Sequence, residues 1–247
     1  MNASLLQFEW RLPRGVRAAF TTRRGGTSGA PWDSLNLGAH VGDVPAHVAA
    51  NRAQVRELLG LRAEPAWLSQ VHGVEVANLD APTTGPVTAD AAVASGAARA
   101  CVIMVADCLP VLFASRDGRR IGAAHAGWRG LAAGVLEKTV AALGVPGVEL
   151  TAWLGPAISR EHFEVGGEVR DAFVASDAGA AAAFAPNARG RWQADLAGLA
   201  RRRLATVGVS DVHGGEWCTF ADRDHFFSHR RDGKGGRMAA LIWREPD

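Results

Sequence analysis

The chain has 247 residues, 48% of them hydrophobic and 21% charged, with a formal net charge of +2. This length and apolar content suit one large domain, and we expect a single domain over residues 1–247. The small net charge, without a basic stripe interleaved with aromatic residues, argues against a nucleic-acid partner.

Residues 1–10 do not resemble a signal peptide, and no apolar run approaches the ~20 residues that span a bilayer. The three cysteines, an odd number, argue against a disulfide framework. We therefore expect a cytoplasmic protein without a membrane partner.

Strand and helix patterns are mixed along the chain, without the regular rhythm of a doubly wound fold. Residues 46–61 have helical periodicity that places Val48, Val55, Leu58 and Leu59 on one face. Residues 130–144 predict the clearest helix, closed by Gly144. Further helices are predicted in 167–175 and 192–208. Two short strands are predicted in 66–80, on either side of residues 70–73, and further strands in 15–20, 89–96, 101–115, 119–128, 148–159, 216–220 and 237–245. This pattern predicts an α+β fold in which mixed β-sheets pack together with helices on the outside.

The stretch VADCLPVLFASRDGRRIGAAHAGWRG, residues 105–130, predicts a β-hairpin. Asp-Gly favours a two-residue type I′ turn, and with Asp117 and Gly118 in the turn the numbers of opposed residues sum to 235. This register offsets Cys108 and His125 by two positions across the ladder, roughly 7 Å at ~3.4 Å per residue. One metal ion or one bond can therefore join the thiol and the imidazole.

His72, in SQVHGVEV, is a third candidate ligand at a strand-to-turn break. Two imidazoles and one thiolate make a plausible zinc set, which leaves a fourth position for water or substrate as in catalytic zinc sites. The wide spacing of the three residues argues against a zinc finger. Copper takes the same ligand types, so the ligands do not decide the metal. Cys101 and Cys218 have no such partner, and we expect them to be structural.

Six stretches occur in the order seen in one known family: SQVHG, ADCLPVLF, GAAHAGWRG, LGPAIS, WCTF and FFSHRRDGKGGR. From about Thr21 to its C-terminus the chain resembles the YfiH-type family, whose older name is the polyphenol oxidoreductase (laccase) domain. The resemblance implies a YfiH-like fold, which is similar to that of a cytotoxic deamidase. It also implies a catalytic zinc held by His72, Cys108 and His125.

The resemblance further implies a purine nucleoside enzyme. Its substrates would be adenosine, inosine and methylthioadenosine, cleaved with phosphate to the free base and (methylthio)ribose 1-phosphate, with adenosine deaminase as a side activity. For the deamination, zinc lowers the pKa of its bound water to roughly 7. The implied partners are purine nucleosides and phosphate, with no nucleic acid and no membrane, and the protein is expected to be a monomer or a homodimer.

Three other functions stay open. The older family name implies a copper-dependent polyphenol oxidase, although eight histidines are few for a multicopper enzyme. The deamidase-like fold implies a metal-free amidase, in which a Cys108 thiolate activated by His125 attacks an amide carbonyl. A non-enzymatic binding module is the fourth reading.

Substrate contacts are expected from two polar segments. The resemblance implies that Asn36 and Arg52 face the pocket. Ser228 and Arg230 lie in FFSHRRDGKGGR, together with Arg237, and arginine offers a planar fork of donors for phosphate or ribose. The alternatives are a solvated helix arginine and a charged hairpin loop. The carboxylate of Asp107, next to Cys108, is expected either to orient a ligand histidine or to form a salt bridge.

Overall fold

The computed structural model describes residues 3–81, 85–96 and 99–245. The strands in these ranges are β1 (Val16–Phe20), β2 (Val76–Asn78), β3 (Ala91–Ala94), β4 (Cys101–Val105), β5 (Leu109–Ser115), β6 (Ile121–Ala126), β7 (Leu150–Leu154), β8 (Glu164–Val165), β9 (Phe184–Pro186), β10 (Trp192–Ala194), β11 (Asp211–Gly214) and β12 (Met238–Arg244). The helices are α1 (Pro45–Leu58), α2 (Trp128–Ala133), α3 (Val135–Leu143), α4 (Gly167–Val174), α5 (Leu196–Thr206) and α6 (His229–Asp232), with short 3-10 helices at Gly147–Glu149 and Ala178–Ala183.

The strands form three sheets. The largest has the order β11-β7-β5-β6-β3-β2; its outer pairs are parallel and its inner pairs antiparallel. The second sheet, β1-β12-β4, is antiparallel, and the third is a small sheet in the order β8-β10-β9. The predicted α+β class with mixed sheets is therefore confirmed.

Alternating apolar side chains place the six-stranded sheet between two cores. On one face Phe113 belongs to the cluster that includes Leu136 of α3. On the other face Leu112 packs in a cluster with Ile103 of the second sheet. The far face of that second sheet packs against α1 through a third cluster that contains Val55. The layers are thus the helices, the six-stranded sheet, the second sheet and α1. Strand β5 is buried on both faces.

The predicted register of the β5–β6 hairpin is confirmed, since Pro110 pairs with His125. The predicted type I′ turn is wrong. It needs two positive φ angles, but only Gly118 has one (+70°), because the Asp117 carboxylate instead accepts hydrogen bonds from its neighbours in the loop. The loop of residues 116–119 is centred on the same point, so the register is unchanged.

Three other predictions need correction. The predicted helix of residues 130–144 is two helices, α2 and α3, because Gly134 lies between them with a φ of +96°. The predicted closure at Gly144 is confirmed by its left-handed conformation. Residues 216–220 form turns and one isolated bridge at Cys218 instead of a strand, since the edge of the large sheet is taken by β11 just before them. Leu58, predicted on the buried face of α1, is exposed.

Candidate metal centre

Three chain segments meet at one end of the β5–β6 hairpin and bring His72, Cys108 and His125 together. Their ligand atoms all lie within 4.8 Å of one another. The Cys108 Sγ is 3.7 Å from Nε2 of His72, and the two imidazole rings have centroids 4.7 Å apart in a tilted, edge-on arrangement. His72 is exposed, Cys108 half-buried and His125 buried, so the cluster opens to solvent on the His72 side.

Asp90, which the sequence analysis did not single out, holds two of the three segments in place. Its carboxylate accepts N–H bonds from the backbone of Val71, His72 and Gly73 at 2.7–3.1 Å. It also accepts a bond of 2.8 Å from Nδ1–H of His125, which leaves Nε2 of that ring to face the cluster. A carboxylate behind a histidine in this way orients ligands in many metal sites. The only sequence signal was a lone acidic residue at the start of the apolar strand β3.

Two residues of this region have positive φ angles that non-glycine residues rarely adopt, namely His72 (+61°) and Asp107 (+85°). Asp90 fixes the first, as described. The carboxylate of Asp107 accepts hydrogen bonds from Thr219, from Ser228 and from the backbone N–H of Arg230. Both predictions for Asp107 are therefore wrong. Within the described residues it bonds no histidine and forms no salt bridge, because two hydroxyl groups and one backbone N–H bind its oxygens instead.

The charges within the cluster favour a deprotonated thiol. Burial raises the pKa of the Cys108 thiol, but His125 and His72 outweigh it and lower the pKa to about 6. Burial lowers the pKa of His125, but Cys108 and Asp90 raise it to about 9. Without a metal, the two residues therefore favour a thiolate beside an imidazolium. A metal ion needs the thiolate and displaces the imidazolium proton.

The donor set fits zinc. In a tetrahedral site with Zn–S of about 2.3 Å and Zn–N of about 2.0–2.1 Å, sulfur and nitrogen ligands are about 3.6 Å apart. The observed distance from Cys108 to His72, 3.7 Å, matches this value. Gly127 keeps the site open, because a Cβ atom there would lie 2.9 Å from the Cys108 Sγ and 3.0 Å from Cδ2 of His72. In the part of the chain that the structure describes, no second cluster of this kind occurs.

Two of the sequence-predicted substrate residues are buried and satisfied internally. The Asn36 side chain accepts the N–H groups of Gly38 and Arg237 and donates to Gly38 and Asp43. Ser228 donates to Asp107 and accepts a bond from the N–H of Arg231. Both side chains therefore lack a free polar atom for a substrate, and they support the loops around the cluster instead.

The two arginines of that prediction differ in their surroundings. Arg52 lies over the ring of Trp67, and its Nε and Nη2 donate to the Leu37 carbonyl. Arg230 is exposed and donates through Nη1 to the Glu164 carbonyl. Arg52 is thus fixed near the loop that contains Asn36, whereas Arg230 is directed towards β8.

Comparisons with known proteins identify the family of the chain. A family profile described as "Multi-copper polyphenol oxidoreductase laccase" matches residues 17–245. A protein of Pseudomonas aeruginosa named as a purine nucleoside phosphorylase is 57% identical over 244 residues, which cover 98% of this chain and 99% of the relative. Purine nucleoside phosphorylase YfiH of Escherichia coli is 49% identical over 241 residues, with 98% and 99% coverage.

Solved structures have the same fold. The crystal structure of a Neisseria meningitidis protein superimposes with a TM-score of 0.93 at 49% identity, covering 98% of this chain and all (100%) of the other. A Bacillus licheniformis protein described as hypothetical protein YfiH superimposes with a TM-score of 0.86 at 29% identity and 93% coverage of each chain. The predicted resemblance is thereby confirmed, and the chain belongs to the multi-copper polyphenol oxidoreductase laccase family, with the fold of the YfiH proteins.

Proposed function

We propose that the protein is a zinc-dependent purine nucleoside phosphorylase that cleaves adenosine, inosine and methylthioadenosine with phosphate and deaminates adenosine as a side activity. The observation that carries this proposal is the convergence of His72, Cys108 and His125 into one open three-ligand cluster. The names of the relatives in Pseudomonas aeruginosa and Escherichia coli support the substrate class. The single cluster among the described residues favours one metal ion over a multicopper set.

In phosphorolysis a phosphate oxygen bonds to C1′ of the ribose, the bond from C1′ to the base nitrogen breaks, and the base leaves with its electron pair and takes up a proton. A zinc ion bound by the three ligands supplies Lewis acidity at the site. Asp90 keeps Nε2 of His125 directed at the cluster, and it fixes the backbone on both sides of His72. Substrate enters on the exposed His72 side.

The test combines metal analysis with turnover. Protein purified without added metal is expected to contain about one zinc per chain, and Cys108→Ala is expected to lose it. Cys218→Ala, a change at a cysteine outside the cluster, is the matched control and keeps its zinc. Adenosine, inosine and methylthioadenosine are each incubated with phosphate, and free base, sugar phosphate and inosine are quantified. Wild-type protein without zinc, full zinc in Cys108→Ala, or no release of base would refute the proposal.

One observation favours a second candidate, the metal-free amidase. The line of Asp90, His125 and Cys108, with its thiolate beside an imidazolium, matches the arrangement of a Cys–His nucleophile oriented by a carboxylate. Iodoacetamide separates the two functions, because a metal masks the thiolate. Slow alkylation that a chelator accelerates supports the zinc enzyme. Rapid alkylation that a chelator does not change supports the amidase.

Copper chemistry is tested on its own. Zinc-loaded, copper-free protein is expected to show no oxygen uptake with phenols, and sustained uptake would revive the oxidase. Among the described residues, no helix is long and apolar enough to cross a bilayer.

A further inference from the structure

Two arginines near the cluster are not in contact with a carboxylate, although Glu64 and Asp107 act on them from a distance. Arg52 and Arg237 are both partly buried, and neither forms a salt bridge with any carboxylate that the structure describes. An enclosed guanidinium without a counter-charge is costly, so such groups are typically found where an anion binds. With zinc bound to two neutral histidines and one thiolate, the cluster itself carries one net positive charge. The carboxylates of Asp90 and Asp107, which accept hydrogen bonds within the site, offset part of the positive charge of the metal-bound cluster and the two arginines.

Arg52 uses most of its donors internally. Its Nε and Nη2 lie 3.0 and 2.8 Å from the Leu37 carbonyl, Nη2 also touches the Met104 sulfur, and the guanidinium stacks on Trp67 at 4.2 Å. Arg52 thus fixes the loop that leads from Asn36 to His40. It contributes charge to the site, and of its guanidinium nitrogens only Nη1 has no partner among the described residues.

Arg237 is held in place by its backbone N–H, by the aliphatic part of its side chain and by one guanidinium nitrogen, Nη1. Its backbone N–H donates to Asn36 at 2.9 Å, and its stem packs on Gly38, where a Cβ atom would lie 2.8 Å from the Arg237 Cγ. Its Nη1 donates to the carbonyls of Gly235 and Gly236. Nε and Nη2 have no partner among the described residues, and they are not among the buried polar atoms without a partner. They are therefore open donors on a pre-oriented fork.

The strand register brings this fork towards the cluster, because Arg237 directly precedes Met238, which pairs with Val105, three residues before Cys108. The electrostatic surroundings agree with this position. Burial lowers the pKa of Arg237, and the nearby Cys108 and Asp107 oppose that effect. Burial lowers the pKa of His40, which the charges of Arg237 and Arg52 and then those of His125 and His72 lower further. His40 thus lies in a positive field to which both arginines contribute.

We propose that Arg237 binds the phosphate co-substrate beside the metal cluster, with Nε and Nη2 donating to two of its oxygens. The fork geometry suits a tetrahedral oxyanion, and charge-assisted bonds of this kind are the strong ones. The proposal rests on the proposed function for the identity of the anion. The sequence offered both Arg230 and Arg237 for phosphate or ribose, and the structure favours Arg237. The Arg230 guanidinium lies 5.4 Å from the Phe163 ring and bonds the Glu164 carbonyl.

Binding of inorganic phosphate to the zinc-loaded protein, measured by calorimetry without nucleoside, is the direct test. Arg237→Gln is expected to weaken phosphate binding by about 10- to 150-fold, the loss of one charge-assisted interaction. Arg237→Lys keeps the charge and the stem but not the fork, and it is expected to show a smaller loss. If the Arg237→Gln protein does not fold, the Arg237→Lys protein still tests the proposal. Arg119→Gln, a change at an exposed arginine in the distant hairpin loop, is the matched control and binds as the wild type does.

Three results would overturn the proposal: no phosphate binding by the wild type, wild-type affinity in a folded Arg237 variant, or a loss in Arg230→Gln without one in Arg237→Gln. Steady-state kinetics supply the second readout, in which Arg237→Gln raises the KM for phosphate and leaves the KM for inosine unchanged. An equal rise in both KM values would assign Arg237 to the nucleoside and refute the proposal. If the wild type binds phosphate through Arg237 but cleaves no nucleoside, the proposed function fails while the anion site stands.

Discussion

Replacing Gly127 by alanine is the sharpest test of how the cluster is packed. Gly127 precedes α2 with φ −60° and ψ 155°, which alanine adopts without strain. The added methyl would nonetheless lie 2.9 Å from the Cys108 Sγ and 3.0 Å from Cδ2 of His72. The substitution therefore acts on two of the three candidate ligands and leaves the backbone conformation unchanged.

The size of the effect follows from these distances. Carbon contacts are most favourable at about 3.5–4.0 Å, so the sulfur and the imidazole must each move away from the added methyl group by roughly 0.5–1 Å. Ligand distances in a metal site tolerate only about ±0.2 Å. Overpacking of this kind costs about 1–3 kcal/mol. If that cost falls on the metal-bound state, the zinc dissociation constant rises by about 5- to 140-fold, at tenfold for each 1.4 kcal/mol.

Competition with a chromophoric chelator measures the zinc affinity, and thermal unfolding of the metal-free protein reports the fold. Gly167→Ala is the matched control, because a Cβ atom at Gly167 meets nothing within 4 Å and its φ is ordinary. We expect wild-type zinc affinity in this control and a loss in Gly127→Ala. Wild-type affinity in a folded Gly127→Ala protein would refute the reasoning.

Three further predictions concern the supports of the site and the core. Asp90→Asn is expected to weaken zinc binding by about 10- to 100-fold, because it removes the carboxylate behind His125, and a chelator titration checks this. Burial opposes ionisation of Asp43, but hydrogen bonds from Asn36 and Ser28 lower its pKa, so its contribution to stability is complete above about pH 3.9 and is lost as the pH falls further. The difference in urea stability between wild type and Asp43→Asn should therefore be about 1–3 kcal/mol at pH 5 and smaller at pH 3, and an equal difference at both would contradict this. The fully buried Leu112 is expected to lose about 2–5 kcal/mol of unfolding free energy on change to alanine, measured by urea denaturation, and a loss under 1 kcal/mol would refute its place between the two sheets.

The local sequence pattern was sufficient to predict the β5–β6 hairpin and the proximity of Cys108 and His125. The register depends only on where the loop is centred, so it survived the wrong turn type, and Pro110 pairs with His125 as predicted. Closure of a helix at Gly144 was equally local, since its left-handed conformation suits glycine. The break at Gly134 was missed because apolar periodicity continues on both sides of it.

Long-range contacts decided the remainder of the site. Asp90 reaches His125 because β3 pairs with β6, and nothing in the residues around either one specifies that neighbour. Asn36 accepts a hydrogen bond from the backbone N–H of Arg237, which is 201 residues away in the chain. Asn36 is therefore a support, whereas Nε and Nη2 of the Arg237 guanidinium remain open donors. The sequence by itself determined which residue types are available and how each hairpin or helix aligns them, because these depend on backbone periodicity. Only the tertiary structure decided which polar groups are saturated and which remain free, because that depends on the partners that distant segments bring.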